Sequence, residues 1–182
     1  LVASMLRNKE AVHRSKQYPF RFLSAYFTVH GNKTRSFYDF NEAKGIEHPM
    51  SNTVLSALEE AILYSADNIP RLNGTTLIAC DVSASMETPI SRGSLIHNYE
   101  IGLVLGMLVN RYCDNSITGF FGDSWKQIPL AQTSGVLQNT IELHSREGEV
   151  GYSTNGYKII EWLLDKNIAV DRIMIFTDEQ MW

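Results

Sequence analysis

The chain has 182 residues, of which 44% are hydrophobic, and a formal net charge of −4. That is enough apolar material for one domain with a sizeable core plus an appendage, and the charge excludes a chain whose main surface grips a nucleic-acid backbone. Its two cysteines, Cys80 and Cys113, give no disulfide framework and read as small buried hydrophobes. No apolar run approaches the length of a membrane span, which predicts a soluble chain with no membrane partner.

The first 21 residues carry Arg7, Lys9, Arg14, Lys16 and Arg21 against the single acid Glu10. Such a run can touch phosphate, although a solvated helix face is its commoner meaning. An aromatic stretch, Tyr18 to Phe27, follows and ends in a polar turn near Gly31-Asn32. Residues 1–48 are therefore expected to form a helical appendage, with Pro49 marking the start of a second unit over 49–182. There Ser51 or Asn52 can cap a helix whose Leu55, Leu58, Ile62 and Ser65 share one face. Asn73-Gly74 then turns the chain into a first core strand, Thr76 to Cys80.

From Glu100 to Arg111 the residues Ile101, Val104, Leu105, Leu108 and Val109 repeat with helical period, and Leu103 and Met107 widen the stripe, so this helix should be largely buried. Ile117 to Phe121 reads as the next strand, Gly122-Asp123-Ser124 as a hairpin turn, and Trp125 to Leu130 as an edge partner with Pro129 near its end. Val136 to Leu143 and Tyr157 to Leu164 read as short helices, and Arg172 to Thr177 as the last strand. Strand, helix, hairpin, helices, strand is the first half of a doubly wound α/β fold. The last strand belongs at the centre of such a sheet, so its outer edge is expected to be unpaired and the chain to be a piece of a longer protein.

The chemistry concentrates at Ile78-Ala79-Cys80-Asp81-Val82-Ser83-Ala84-Ser85-Met86. An apolar run ends here in a carboxylate, followed by two hydroxyls at alternating positions. Asp-x-Ser-x-Ser at the carboxyl end of a buried strand puts hard oxygen groups around one point, which suits Mg²⁺ or Mn²⁺. Ser83 and Ser85 can bind directly while Asp81 holds a coordinated water. With so little protein charge, the ion would seek an anionic ligand from a partner's Asp or Glu. Two more loops should reach the same edge: Tyr152-Ser153-Thr154-Asn155-Gly156, where Thr154 offers a hydroxyl, and Ile173 to Asp178, where Asp178 can anchor a water. Taken singly, any of these residues would serve as an ordinary helix cap or turn former.

As an ordered set, Asp81, Ser83 and Ser85, then Thr154, then Asp178 resemble the metal-ion-dependent adhesion site of von Willebrand factor A domains. Further upstream, Met5-Leu6-Arg7-Asn8, Pro19-Phe20-Arg21-Phe22-Leu23 and the Leu55 to Ser65 helix, followed by Ala79 to Met86, resemble in that order the junction in Ro autoantigen, or TROVE-domain, proteins. There a ring of helical repeats runs into a von Willebrand factor A domain; Thr177 to Trp182 looks like the bacterial branch. The resemblance implies a doubly wound, Rossmann-like von Willebrand factor A fold over 49–182, preceded by the end of the helical repeats over 1–48. It implies a cytoplasmic, non-enzymatic component of a small noncoding RNA ribonucleoprotein, binding Y RNAs and acting in RNA quality control or processing. RNA would be held mainly by the helical ring, and a protein partner by its acidic residue at the metal. One departure stands out, since Tyr152-Ser153 precedes Thr154 where the family often has two glycines.

A second possibility is a von Willebrand factor A subunit of an ATPase or chelatase assembly, without RNA. Catalysis finds little support. Asp81 could serve as a phosphoryl-transfer nucleophile, but Val82-Ser83 leaves no second carboxylate two residues on. No Gly-x-Ser-x-Gly elbow or phosphate loop occurs. His13, His30, His48, His97 and His144 lack metal-ligand spacing and read as surface or capping residues, with His144 the one nearest the Thr154 loop.

Overall fold

A computed structural model describes residues 1–31, 48–146 and 148–178. Among the described residues the chain opens with helices α1 (Val2–Leu6), α2 (Lys9–Ser15), α3 (Pro19–His30) and α4 (Ser51–Ser65). Asn8 caps α2 by accepting from the Ala11 N–H, and Pro19 sits in the first turn of α3, where a missing N–H costs nothing. Phe22, Leu23, Tyr26 and Phe27 of α3 share one apolar cluster with Leu58, Ala61 and Ile62 of α4. Arg7 and Lys9 pair with Glu60 and Asp67, so part of the basic run is spent tying α1 and α2 to the α4 end. The polar turn expected at Gly31-Asn32 lies partly outside the described residues, as do Glu179 to Trp182.

Strand β1 (Leu72–Asp81) leads to a 3-10 turn (Ala84–Glu87), α5 (Asn98–Tyr112), β2 (Cys113–Phe121), β3 (Trp125–Gln127), α6 (Val136–His144), α7 (Tyr157–Asp165) and β4 (Arg172–Phe176). Among the described residues the strands form one sheet in the order β3-β2-β1-β4, with β1 parallel to both β2 and β4 and β3 antiparallel to β2. Alternation along β1 supplies both faces. Leu77 and Ala79 pack with Ile159 and Leu163 of α7, whereas Cys80 packs with Leu103, Val104 and Met107 of α5. Helices on the two faces make this a doubly wound, Rossmann-like sheet. The apolar cluster under α5 continues to Val12, Phe22 and Phe27, so α1 to α4 extend the same core.

Helix α5 reaches β1 closely because it carries glycine at the crossing, where a Cβ on Gly106 would lie 2.8 Å from Cys80 Sγ. Burial also pushes the Cys80 thiol up to about 12, so it behaves as the small hydrophobe its position suggested.

Several boundaries move. The cap of α4 falls on Met50, not on Ser51 or Asn52, because Ser51 already has helical geometry. Asn73-Gly74 lies inside β1 at a register irregularity, with Gly74 at φ +82°, so it bulges a strand that begins four residues earlier than the apolar run indicated. Strand β2 likewise starts at Cys113, straight from the α5 end, and β3 stops at Gln127, before Pro129.

Candidate metal centre

Parallel register brings the carboxyl ends of β1, β2 and β4 to one edge: Asp81 faces Phe121, and Cys80 faces Phe176. Asp81 is fully buried there. Its Oδ1 accepts the Ser83 N–H at 2.9 Å and its Oδ2 accepts the Thr177 hydroxyl at 2.6 Å. A buried carboxylate without partners would be costly, and these two bonds hold it in one orientation while leaving half of its acceptor sites unused.

The following loop is folded back by the 3-10 turn, in which Met86 N–H bonds to Ser83 O at 3.0 Å and the Met86 side chain is buried in the core. Ser83 and Ser85 therefore project together, their hydroxyl oxygens 3.2 Å apart. Two neighbouring ligands on an octahedral ion with bonds near 2.1 Å lie about 3.0 Å apart, so the pair matches adjacent Mg²⁺ positions. The Thr154 loop is joined on the other side, since Ala84 N–H donates to Tyr152 O at 3.0 Å, and Thr154 is itself buried.

Asp178 is half-buried, two residues beyond β4. It lines a depression of about 260 Å³ with Met86, Gly102, Phe176 and Thr177. The structure thus ties Asp81, Ser83 and Ser85 directly, brings the Thr154 loop against them through the main chain, and places Asp178 next to the residue that bonds Asp81. Thr177 was missed from sequence, because only the parallel register of β1 and β4 sets it beside Asp81. Among the described residues no group of three His, Cys, Asp or Glu side chains is arranged to hold a metal, so an ion here would rest largely on hydroxyls. That donor set fits Mg²⁺ or Mn²⁺ better than a softer metal.

A buried charged cluster at the start of α5 also escaped the sequence reading. Glu100 is fully buried; Oε2 accepts the His97 N–H at 2.5 Å and lies 3.1 Å from His97 Nδ1, and Oε1 lies 2.9 Å from His144 Nδ1. Burial pushes the Glu100 carboxyl up, but the adjacent His144 and His97 rings outweigh it and hold the group below the ordinary carboxylate range. His97 is the cap of α5, as a capping residue should be, whereas His144 is buried against the Tyr99 ring at 5.1 Å and is no surface residue. The His97-x-x-Glu100 spacing, that of a capping box, was the signal.

Residues 75–182 match the sequence model described as the Ro60 vWA domain. The chain belongs to that family. In fold it is similar to the crystal structure of the Deinococcus radiodurans RO (RSR) protein, with a TM-score of 0.64 and 20% identity over 100% of this chain and 35% of that one. The chain thus spans about a third of the length of that protein. No curated protein matches it. The doubly wound fold of this Ro60 vWA domain is the one the Asp-x-Ser-x-Ser pattern and the strand order implied. No helix among the described residues is long and apolar enough to cross a membrane.

Proposed function

We propose that this Ro60 vWA domain belongs to a cytoplasmic, non-enzymatic ribonucleoprotein that holds a small noncoding RNA of the Y type and acts in RNA quality control or processing. In this reading Asp81, Ser83, Ser85, Thr154 and Asp178 hold Mg²⁺ or Mn²⁺, which receives a carboxylate from a protein partner. The observation that carries the metal reading is the Ser83–Ser85 hydroxyl pair, 3.2 Å apart beside a buried carboxylate pinned by Thr177. With hydroxyls as the direct ligands and Asp81 and Asp178 acting through coordinated water, the ion stays electrophilic, and that makes a partner's acid an attractive ligand.

Family membership supports the RNA assignment. A net charge of −4 argues that the main RNA grip is not on this domain but on helical repeats joined to it. The full-length protein, tagged and purified from its own cells with cross-linking, should carry small structured RNAs. Recovery of an ATPase subunit with no RNA would instead favour a chelatase-type assembly and overturn the ribonucleoprotein reading.

A further inference from the structure

We infer that Asp123, in the turn between β2 and β3, is a positioning residue that sets where Thr154 stands relative to Ser83 and Ser85. The inference rests on the metal reading above and deepens it.

The segment that carries Thr154 is neither helix nor strand, and it is held from two sides. On one, Ala84 N–H bonds to Tyr152 O. On the other, the hairpin turn clamps it. Asp123 Oδ1 accepts the Ser153 N–H at 2.8 Å, Asp123 O accepts from Asn155 Nδ2 at 3.3 Å, and Gly122 O accepts the Asn155 N–H at 3.0 Å. Ser124 N–H adds a bond to Val150 O at 3.1 Å. Thr154 therefore lies between two residues, Ser153 and Asn155, that are both fastened to Gly122-Asp123.

The approach is so close that side chains are excluded. A Cβ on Gly151, whose φ is +77°, would lie 2.2 Å from Asp123 Oδ2, and one on Gly122 would lie 2.2 Å from Gly151 O. The Ser153 hydroxyl and N–H hold the Asp123 carboxyl below its ordinary range even though the side chain is exposed. An exposed carboxylate in a turn ordinarily does no more than stabilise that turn. Here it reaches across to a different loop, directly beside a proposed ligand. Because Asp123 touches the loop and not the core, its removal should move Thr154 while leaving the sheet folded.

Residues that orient a metal ligand from behind typically change affinity by about 10–100-fold when removed. Calorimetric titration of the chain with Mg²⁺ should show Asp123→Ala weaker by about tenfold or more, and Asp123→Asn within about threefold, since an amide oxygen can still accept the Ser153 N–H. Combined with Thr154→Ala, Asp123→Ala should add less than about twofold, because its effect passes through the Thr154 hydroxyl. Mg²⁺ binding by the parent chain with Asp123→Ala unchanged, or with the two substitutions fully multiplicative, would overturn the role of Asp123 alone. A parent chain that takes up no Mg²⁺ overturns the metal reading itself, and this inference with it.

Discussion

The Thr177 hydroxyl, just past the end of β4, donates to Oδ2 of Asp81 at the end of β1 at 2.6 Å, joining residues 96 positions apart in sequence. This bond ties a neighbouring strand to the carboxylate on which the metal reading depends. Thr177→Val keeps the side-chain shape and removes the donor, leaving a buried carboxylate oxygen short of one partner. Loss of a hydrogen bond to a charged group costs about 1.5–3 kcal/mol. Urea unfolding should show a decrease of that order for Thr177→Val and a smaller one for Thr177→Ser.

Glu59 supplies a second long-range bond that local sequence does not announce. Its carboxylate accepts the N–H groups of Val136 and Gln138 at 2.9 and 2.8 Å, capping an α6 whose own cap residue, Gly135, has no side chain to do so. A carboxylate there satisfies open donors and meets the positive end of the helix dipole. Glu59→Ala should cost about 1–2 kcal/mol, the upper part of the range for lost caps, and Glu59→Gln less. Thermal unfolding compared with an exposed control, Glu161→Ala, separates the cap from general charge effects.

Glu100 gives the stability of the domain a pH dependence with a definite sign. Its folded-state carboxyl lies below the ordinary range, so the stability it contributes is present above the unfolded carboxylate value and is lost as pH falls through the lower, folded one. Glu100→Gln should therefore flatten the acid limb of the stability profile. At neutral pH it should cost about 1.5–3 kcal/mol, because the charged acceptor of the buried His97 N–H is lost. Denaturation measured from pH 7 down to pH 3 in both proteins checks the two effects together.

What could be read from sequence was whatever repeats locally. The apolar run before Asp81 specified β1, and the 3.6-residue stripe from Ile101 to Val109 specified α5. Asp81, Ser83 and Ser85 were visible because three candidate ligands of two residue types stand within five residues. Thr177, Glu59 and the partnership of Glu100 with His144 were not, because each acts on a group 44 or more residues away. Only sheet register and helix packing bring them there. The Asn73-Gly74 pair misled for a related reason: glycine permits a positive φ equally in a turn and in a bulge, and the pairing of β1 with β2 made it a bulge.

The most direct measurement is a calorimetric titration of the chain with Mg²⁺ and with Mn²⁺ beside Asp81→Asn, a substitution that keeps the size and one accepting oxygen of a buried side chain and removes its charge. Saturable binding to one site is expected in the parent chain, lost in Asp81→Asn at unchanged secondary structure. Equal affinity in both proteins, or no binding in the parent, would contradict the metal reading.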